Sequence, residues 1–323
     1  MPSAPIRLGV VMDPIEAIRP AKDTTLAMLL AAQARGWELL YMEQPDLYLR
    51  AGEARARLRK LTVWDAAAGW FQLGDENDEA LGQLDVILMR KDPPVDNEFI
   101  YTTYILERAE TAGALVVNRP QALRDANEKA FTAWFPACCP PTLMSRSMVR
   151  IRDFLAEHGK IVVKPLDGMG GASVFVLDRQ DPNISVVLET LTQRGKRLAV
   201  AQQYLPEITA GDKRILLIDG EPVPYALARV PAPGESRGNL AAGGQGVGVP
   251  LTERDRWICA QVAPTLKQRG LLFVGLDVIG DYLTEINVTS PTCVRELDKL
   301  YGLDIAGQFL DVVATRLADR KHG

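Results

Sequence analysis

Residues 275–287 read GLDVIGDYLTEIN, and this stretch determines how the C-terminal part of the chain folds. Two apolar runs flank a glycine-aspartate pair, a pattern that predicts two antiparallel strands joined by a tight turn. Asp277 lies inside the first run, and Glu285 and Asn287 alternate with apolar residues in the second. Burial of such polar groups is costly unless a cation is nearby. The stretch therefore predicts a cation site on a β-hairpin.

The spacing of the two carboxylates constrains this hairpin. Asp277 faces Glu285 across an antiparallel pair only if paired positions sum to an even number. A two-residue turn alone would place the carboxylates on opposite faces, so we predict either a turn with an odd number of residues, such as 280–282, or a β-bulge. Carboxylate and amide oxygens favour Mg²⁺ carrying nucleotide phosphates over zinc. The alternative is a pair of exposed acids on a half-buried sheet.

A glycine-rich loop lies upstream, where residues 162–171 read VVKPLDGMGG. Gly168, Gly170 and Gly171 permit positive φ and a close backbone approach, so that successive N–H groups can face an anion. Lys164 would add a positive charge beside that anion. Taken alone, the loop is equally consistent with a structural turn. The chain has neither GxxxxGK[ST] nor GxGxxG after its first strand, which argues against P-loop NTPases and typical dinucleotide-binding dehydrogenases.

Composition narrows the class of protein further. The chain has 323 residues, is 47% hydrophobic and carries a formal net charge of -4, which is typical of a soluble globular protein with two or three domains. No Lys/Arg-rich block is present, which argues against nucleic-acid and anionic-membrane partners. No apolar run is long enough for a signal-peptide core or a membrane span. These features predict a cytoplasmic protein.

Cysteine and histidine are scarce, which limits the available chemistry. The four cysteines lack metal-ligand spacing and are expected to be reduced core residues, with only Cys293 adjoining a candidate site. The two histidines are His158, at a predicted helix end, and His322, near the C-terminus. Neither position suits a histidine general base. Catalysis is therefore expected to depend on carboxylates, lysines, arginines or a metal.

The remaining patterns predict three units and an α/β (α+β) fold class. The first unit, 1–121, alternates strands with amphipathic helices, which predicts a Rossmann-like parallel sheet. The second, 122–200, carries the glycine loop and is small enough to act as a lid. The third, 201–323, is expected to form an antiparallel sheet with a hairpin at Asp219-Gly220. Strands are predicted at 6–13, 38–43, 85–92 and 115–118 in the first unit, and helices from Asp23 and over 98–112, 127–135, 149–157, 183–195 and 253–269, with a C-terminal helix.

Residues 231–250 read PAPGESRGNLAAGGQGVGVP, a glycine-rich stretch without apolar periodicity. A segment of this length without regular structure is usually either functional or disordered. Because Arg229 precedes it and Arg237 lies within it, it suits a mobile cover that closes over bound substrates and excludes water. The alternative is a passive disordered loop.

Together these motifs resemble the prokaryotic-type glutathione synthetases of the ATP-grasp superfamily. The resemblance rests on VMDP and MRKDPP in the first unit, NEK at 127–129, KPLDGMGGASVF, AQQYLP, DKR at 212–214, RGNLAAGG and GLDVIGDYLTEINVTSPT. It extends in order over nearly the whole chain and includes motifs on the substrate side as well as the ATP side. The departures are minor: a short extension before Ile6, and Gln245 where a basic residue would also fit.

The resemblance implies an ATP-dependent carboxylate-amine ligase that joins γ-glutamylcysteine to glycine through an acyl phosphate, releasing ADP and phosphate. It implies Mg²⁺, or Mn²⁺ in its place, at Asp277, Glu285 and Asn287, and a homotetrameric assembly. ATP would contact residues on both sides of a cleft: Lys129, Lys164, Gly168, Gly170, Gly171, Gln202, Gln203, Tyr204, Leu205 and Asp212. The dipeptide would be held by Asp13, Arg90, Arg214, Arg229, Arg237, Ser290, Pro291 and Thr292, of which Arg214, Arg229 and Arg237 would also be catalytic.

Two other functions remain open at this point. One is an ATP-grasp ligase with a different acceptor, such as a D-alanine ligase or an enzyme that extends a peptide, against which only MRKDPP, RGNLAAGG and VTSPTC argue. The other is a catalytically silent nucleotide-binding protein. Loss of a ligand from the acidic hairpin would favour the second alternative, but Asp277, Glu285 and Asn287 are all present.

Overall fold

The computed structural model describes residues 4–235, 238 and 243–322, and these form three β-sheets with helices packed against them. The first part of the chain contains β1 (Arg7–Val11), α1 (Thr24–Ala34), β2 (Glu38–Met42), β3 (Leu47–Arg50), β4 (Glu53–Val63), β5 (Phe71–Ala80), β6 (Val86–Met89), α2 (Asn97–Thr111) and β7 (Leu115–Val117). The order β2-β1-β6-β7 is parallel, as predicted. Asp23 caps α1, because its carboxylate accepts from the Leu26 amide at 2.6 Å.

The first sheet is parallel only in part, which corrects the prediction. β3, β4 and β5 form an antiparallel meander that joins the sheet through β2. The sequence of β5, FQLGDENDEA, is mostly exposed and lacks the apolar alternation that indicates a strand. Its acids instead pair with arginines of β4, as Asp78 does with Arg55 at 2.6 Å. We call residues 47–80 the meander.

The second sheet is antiparallel and has the order β10-β9-β11-β8. Its part of the chain contains α3 (Pro120–Asp125), β8 (Thr142–Ser145), α4 (Met148–His158), β9 (Lys160–Pro165), β10 (Phe175–Asp178), α5 (Ile184–Thr192) and β11 (Ala199–Gln203). The helices predicted over 149–157 and 183–195 are confirmed as α4 and α5. The helix predicted over 127–135 is instead a short 3-10 helix, Ala130–Trp134. Asn127 accepts from the amides of Lys129 and Ala130 at its start, and Pro136 prevents its extension.

The third sheet has the order β15-β14-β12-β16-β17, with a short strand at the edge of β12. The elements are β12 (Asp212–Ile218), β13 (Glu221–Pro222), β14 (Tyr225–Val230), β15 (Gln245–Pro250), α6 (Glu253–Arg269), β16 (Phe273–Ile279), β17 (Tyr282–Asn287), α7 (Val294–Tyr301) and α8 (Ile305–His322). The turn at Asp219-Gly220 is confirmed, because Ile218 pairs with Glu221. Two C-terminal helices replace the single one predicted.

Part of the glycine-rich stretch is regular, which corrects the prediction of an unstructured segment over 231–250. Residues 245–250 form β15 and pair with β14 along its whole length. Gly248 lets the ring of Tyr301 pack against β15, because that ring lies 2.5 Å from where a Cβ would be. The predicted mobile cover falls partly on residues 236–237 and 239–242, which lie outside the described residues.

The acidic hairpin has the register that the sequence required. The turn contains two residues, since Ile279 pairs with Tyr282, but the register then shifts so that Asp277 pairs with Glu285. The extra residue is Thr284, whose hydroxyl donates to the Asp277 carbonyl at 3.1 Å. Without this β-bulge the two carboxylates would lie on opposite faces. Of the two arrangements predicted, the bulge is therefore the correct one.

A buried asparagine side chain helps to join the first and third sheets. Asn118 donates to the carbonyls of Phe273 and Val288 at 2.8 and 2.7 Å and accepts from the Phe273 amide at 3.0 Å. These bonds satisfy the whole amide and fix β16 relative to the end of β7. Among the described residues, no helix is long and apolar enough to cross a membrane.

Candidate active site

A cavity of about 330 Å³ lies between the second and third sheets. Its walls come from the glycine loop, from β11 and the residues after it, from the acidic hairpin and from the turn that precedes α7. Of the residues predicted from the sequence, the following line it: Lys129, Lys164, Gly168, Gly170, Gly171, Gln202, Gln203, Tyr204, Leu205, Asp212, Arg214, Arg229, Asp277, Glu285, Asn287, Ser290, Pro291 and Thr292. Residues far apart in sequence are thus brought to one place.

Asp277 is held by two arginines on neighbouring strands. Its Oδ1 accepts from Arg214 Nε at 2.6 Å, and its Oδ2 lies 2.9 Å from an Nη of Arg229. All three side chains are buried. Burial alone would raise the pKa of Asp277, but the two guanidinium groups outweigh it and hold the pKa well below its usual range. The carboxylate is therefore ionised at neutral pH.

Asp212 lies at the end of the same network and is incompletely satisfied. Its Oδ2 pairs with Arg229, whereas its Oδ1 is buried and has no hydrogen-bond partner among the described residues. Burial raises the pKa of Asp212 to about 6, because the attraction of Arg229 offsets only part of the desolvation. A buried acceptor without a donor is costly, so this oxygen is available to a ligand hydroxyl.

Two lysines converge on Glu285, which lies opposite Asp277 on the neighbouring strand of the hairpin. Its Oε1 lies 3.0 Å from Lys164 Nζ and 3.6 Å from Lys129 Nζ. Burial would raise the pKa of Glu285, but the two ammonium groups lower it below its ordinary value. Lys129 Nζ also donates to the Gly168 carbonyl at 2.7 Å, which ties it to the glycine loop.

Glu128 belongs to this cluster and was missed in the sequence. Its carboxylate pairs with Lys129 and lines the cavity. Burial, followed by repulsion from Glu285, raises the pKa of Glu128. Its position beside Lys129 in the NEK motif was the only available signal, and a single acid beside a lysine is also typical of an exposed surface.

The glycine loop and Gly238 bring backbone close to these charges. Gly170 and Gly171 have φ of 61° and 81°, the left-handed region that glycine adopts without strain. Gly238, which also lines the cavity, packs directly against the Arg229 carbonyl, so any side chain there would collide with the backbone. Gly238 was not among the predicted site residues, although its motif RGNLAAGG was recognised.

The hairpin offers a donor set that fits Mg²⁺. Asp277 and Glu285 are directly paired, and Asn287, paired with Gly275, presents its side chain on the same face. Asn287 Nδ2 donates to the Gly275 carbonyl at 3.3 Å, so its amide oxygen is the atom that could contact a cation. No group of three His, Cys, Asp or Glu side chains that could enclose a metal occurs among the described residues. Three oxygen donors suit an Mg²⁺ ion that takes its other ligands from phosphates and water.

The predicted substrate side is only partly in the cavity. Arg90 does not line it; this buried arginine donates to the Thr25 hydroxyl at 3.1 Å and the Pro291 carbonyl at 3.0 Å. Burial lowers the pKa of Arg90 to about 10. Asp13 does not line the cavity either. Its carboxylate pairs with Lys91 at 2.8 Å. The remaining predicted arginine, Arg237, lies outside the described residues.

The opposite end of the cavity is apolar. Val162, Val176 and Ile208 contribute side chains there, beside the strand end at 202–205. Lys160 Nζ lies 4.1 Å from the centroid of the Tyr204 ring at its edge. Such an apolar wall beside the end of β11 is suited to a flat aromatic ring. The valines were missed because apolar strand residues are expected in any core.

The cysteines add no second reactive centre among the described residues. All four are free, and Cys293 is buried at the N-terminal end of α7, where it lines the cavity with φ of 90°. Burial raises the pKa of the Cys293 thiol, so it stays protonated at neutral pH. The four free thiols are consistent with the prediction of reduced cysteines.

Comparison with solved structures identifies the fold. The chain superposes on D-cycloserine synthetase with a TM-score of 0.69 at 17% identity, covering 96% of this chain and 99% of that chain. It superposes on the ATP-grasp ligase PsnB, solved with a minimal precursor, Mg and ADP, with a TM-score of 0.63 at 17% identity, covering 97% and 98%. At such identities the likeness concerns the fold alone. The three sheets therefore have the fold of the ATP-grasp ligases.

Sequence comparison then identifies the family. Residues 6–124 match the N-terminal domain of prokaryotic glutathione synthetase, and residues 128–302 match its ATP-grasp domain. The glutathione synthetase of Pseudomonas aeruginosa is 65% identical over 315 residues, which cover 98% of this chain and 99% of that protein. The chain belongs to the prokaryotic glutathione synthetase family and is an ATP-dependent carbon-nitrogen ligase.

Proposed function

We propose that this chain joins γ-glutamylcysteine to glycine and uses one ATP for each peptide bond. The observation that carries the proposal is the convergence of hairpin carboxylates, two lysines, the glycine loop and two arginines on one cavity. The identity of 65% with a glutathione synthetase over nearly the whole length supports the choice of substrates. No feature of the described residues favours a different acceptor.

The chemistry follows from the poor reactivity of a carboxylate. Its leaving group in direct aminolysis would be oxide, so the acid must first be activated. Transfer of the γ-phosphoryl group of ATP to the dipeptide carboxylate forms an acyl phosphate and ADP. The glycine amine then attacks the acyl carbon, the bond to phosphate breaks and a proton is released. Such transfers need alignment and charge neutralisation rather than a protein nucleophile.

Lys129 and Lys164 would contact the phosphates in this scheme. Each ammonium group now pairs with a carboxylate, Glu128 or Glu285, at the edge of the cavity. The glycine loop would supply backbone N–H groups to the same oxygens. Mg²⁺ held by Asp277, Glu285 and Asn287 would neutralise the phosphate charge when bound.

Arg214 and Arg229 would neutralise the dipeptide carboxylate and the phosphoryl group moving toward it. They now share Asp277, so substrate binding would exchange protein partners for substrate oxygens. Ser290, Pro291 and Thr292 would contact the dipeptide from the turn before α7. Arg90 would act indirectly by holding Pro291, and Asp13 by holding Lys91. Arg237 is retained as a candidate from the sequence.

ATP would enter with its base against the apolar wall. Gln202 to Leu205 would border the base, and the unpartnered Oδ1 of Asp212 would accept from a ribose hydroxyl. We further propose domains over 1–121, 122–200 and 201–323, with the second as a lid and the part of 231–250 that precedes β15 as a cover. A homotetramer in the cytoplasm completes the proposal, on the grounds of family resemblance.

Phosphate release tests the substrates. The wild-type chain is incubated with Mg²⁺ and ATP plus γ-glutamylcysteine and glycine, and in parallel with D-alanine in place of glycine or with other dipeptides. We expect rapid release only with the first combination, and formation of glutathione in equal amount. Equal rates with D-alanine, or release without a peptide product, would contradict the assignment.

A further inference from the structure

One row of side chains crosses the second sheet at the apolar end of the cavity. Val176 pairs with Val162, Val162 pairs with Gln202, and Gln202 pairs with Thr142. Paired residues of antiparallel strands present their side chains on the same face, so the four lie side by side from β10 to β8. The first three line the cavity, and Thr142 stands behind Gln202 at the edge of the row.

Thr142 fixes which end of the Gln202 amide points toward it. Thr142 Oγ1 lies 2.8 Å from the Pro140 carbonyl oxygen. A carbonyl cannot donate, so the single hydroxyl proton of Thr142 is used in this bond. Thr142 Oγ1 can then only accept, and it accepts from Gln202 Nε2 at 3.2 Å. Rotation of the amide by half a turn would bring Gln202 Oε1 against the Thr142 oxygen, where no proton is available.

The consequence is an oriented acceptor at the cavity. With Nε2 bound to Thr142, the free end of Gln202 is Oε1, and no hydrogen bond to this atom occurs within the described residues. Adenine presents a 6-amino donor, whereas guanine and hypoxanthine present a 6-oxo acceptor at the same place. A 6-oxo group would meet Gln202 Oε1 acceptor to acceptor, and neither group would be satisfied.

We propose that Thr142 is a positioning residue for purine selectivity, which holds Gln202 Oε1 as the acceptor for the 6-amino group of adenine. The inference rests on the proposed function in one respect, namely that the nucleotide base occupies this end of the cavity. Thr142 itself touches no nucleotide. Its hydroxyl acts by denying Gln202 the flipped orientation, in which Nε2 would donate to the 6-oxo group of another purine.

Nucleotide binding to Thr142→Val and Thr142→Ser tests this role. Valine keeps the β-branched shape but can neither donate nor accept, and serine keeps the hydroxyl. Because Thr142 is exposed, both variants are expected to fold, which melting curves check. Dissociation constants are measured with Mg²⁺ for ATP and for inosine triphosphate, which carries a 6-oxo group and lacks the 2-amino group of guanine. The kcat at saturating ATP is recorded in parallel.

Thr142→Val should lower the preference for ATP over inosine triphosphate by roughly tenfold, the effect of about one hydrogen bond. Thr142→Ser should keep the wild-type preference, and kcat with ATP should be unchanged in both. In a Gln202→Leu background, Thr142→Val should have no further effect on the preference, because its only target is absent.

If Thr142 had a purely structural role, Thr142→Val would weaken the binding of both nucleotides equally. The ratio of the two dissociation constants would then be unchanged, and that result would overturn the inference. Loss of selectivity in Thr142→Ser, or a wild-type chain that binds the two nucleotides equally, would do the same. A wild-type chain that binds neither nucleotide would instead contradict the proposed function. The failure of the inference and the failure of the function are therefore distinguishable.

Discussion

Two ion pairs of this molecule have the same N···O distance but differ in their exposure to water. In the acidic hairpin, Arg214 and Asp277 lie 2.6 Å apart with side chains 7% and 5% exposed. In the meander, Arg55 and Asp78 also lie 2.6 Å apart, but with side chains 24% and 43% exposed. Water screens the second pair and is excluded from the first. Burial rather than separation therefore distinguishes charges that could do chemistry from charges that keep a sheet soluble.

The buried charges also differ in how they are connected. Arg229 bridges Asp277 and Asp212, and Glu285 lies within 3.6 Å of both Lys129 and Lys164. The acids and cations of the site thus have partners in common. A metal that binds one of the acids, or a phosphate that binds one of the cations, therefore frees a hydrogen-bonding group on the former partner. The exposed acids of the meander pair locally with β4 and release nothing to the cavity.

The largest expected effect is that of Asp277→Asn. It should lower kcat by on the order of 10³-fold, because the variant loses both the proposed metal ligand and the anchor of two arginines. It should also destabilise the fold by about 3 kcal/mol, since Arg214 is left buried without its charged partner. Phosphate release and chemical denaturation measure the two effects. Activity close to that of the wild type would contradict the placement of Asp277 in the site.

Next in size is the loss of a phosphate contact in Lys164→Met. It should raise the dissociation constant for Mg·ATP by roughly 10- to 100-fold, the effect of one charge-assisted hydrogen bond. Calorimetric titration measures it. The matched control is Lys60→Met in the meander, whose side chain is 68% exposed. Equal weakening by both substitutions would show that only the overall charge matters.

A smaller effect concerns pH and Asp212. Its folded pKa of about 6 lies above its ordinary value of 3.8, so the folded state binds more protons between these values. Stability should therefore fall as pH rises from 4 to 6 and level off above 6, by on the order of 3 kcal/mol from this group. Asp212→Asn should lose that dependence. Denaturation of both proteins at several pH values checks it, and parallel curves would contradict the raised pKa.

The smallest effect is expected in the meander. Asp78→Asn removes a carboxylate whose pKa is lowered mainly by its hydrogen bond with Tyr48 and also by Arg55. This carboxylate is exposed to solvent. Activity and nucleotide affinity should be unchanged, and the melting temperature nearly so. Since the same substitution at Asp277 is expected to abolish most activity, the two variants together test the comparison. A loss of activity in Asp78→Asn would break it.

The acidic hairpin could be predicted because its polar residues interrupt apolar runs at fixed spacing. Parity required an odd turn or a bulge, yet it could not choose between them, because both bring Asp277 opposite Glu285. The choice depends on Thr284, whose hydroxyl bonds to the Asp277 carbonyl. That contact is tertiary and leaves no mark in the spacing.

Other features could not be inferred for physical reasons. The meander is held by exposed ion pairs, so β5 lacks the apolar alternation on which strand prediction relies. Glu128 is a site acid only because the chain folds back and buries it beside Glu285. Arg90 stays a predicted substrate residue, but its contacts with Pro291 and Thr25, outside the cavity lining, could not be inferred from its position in the sequence. In each case burial, which depends on distant elements, decided the outcome.

Thermal stabilisation by nucleotide tests the central claim most directly. Melting temperatures are measured for the wild type and Glu285→Gln with ATP alone, Mg²⁺ alone and both together. We expect Mg²⁺ and ATP together to raise the melting temperature of the wild type, and the increase to be lost in Glu285→Gln, because the hairpin carboxylate that would hold the ion is gone. Equal stabilisation of the two proteins would contradict a metal-nucleotide site on this hairpin.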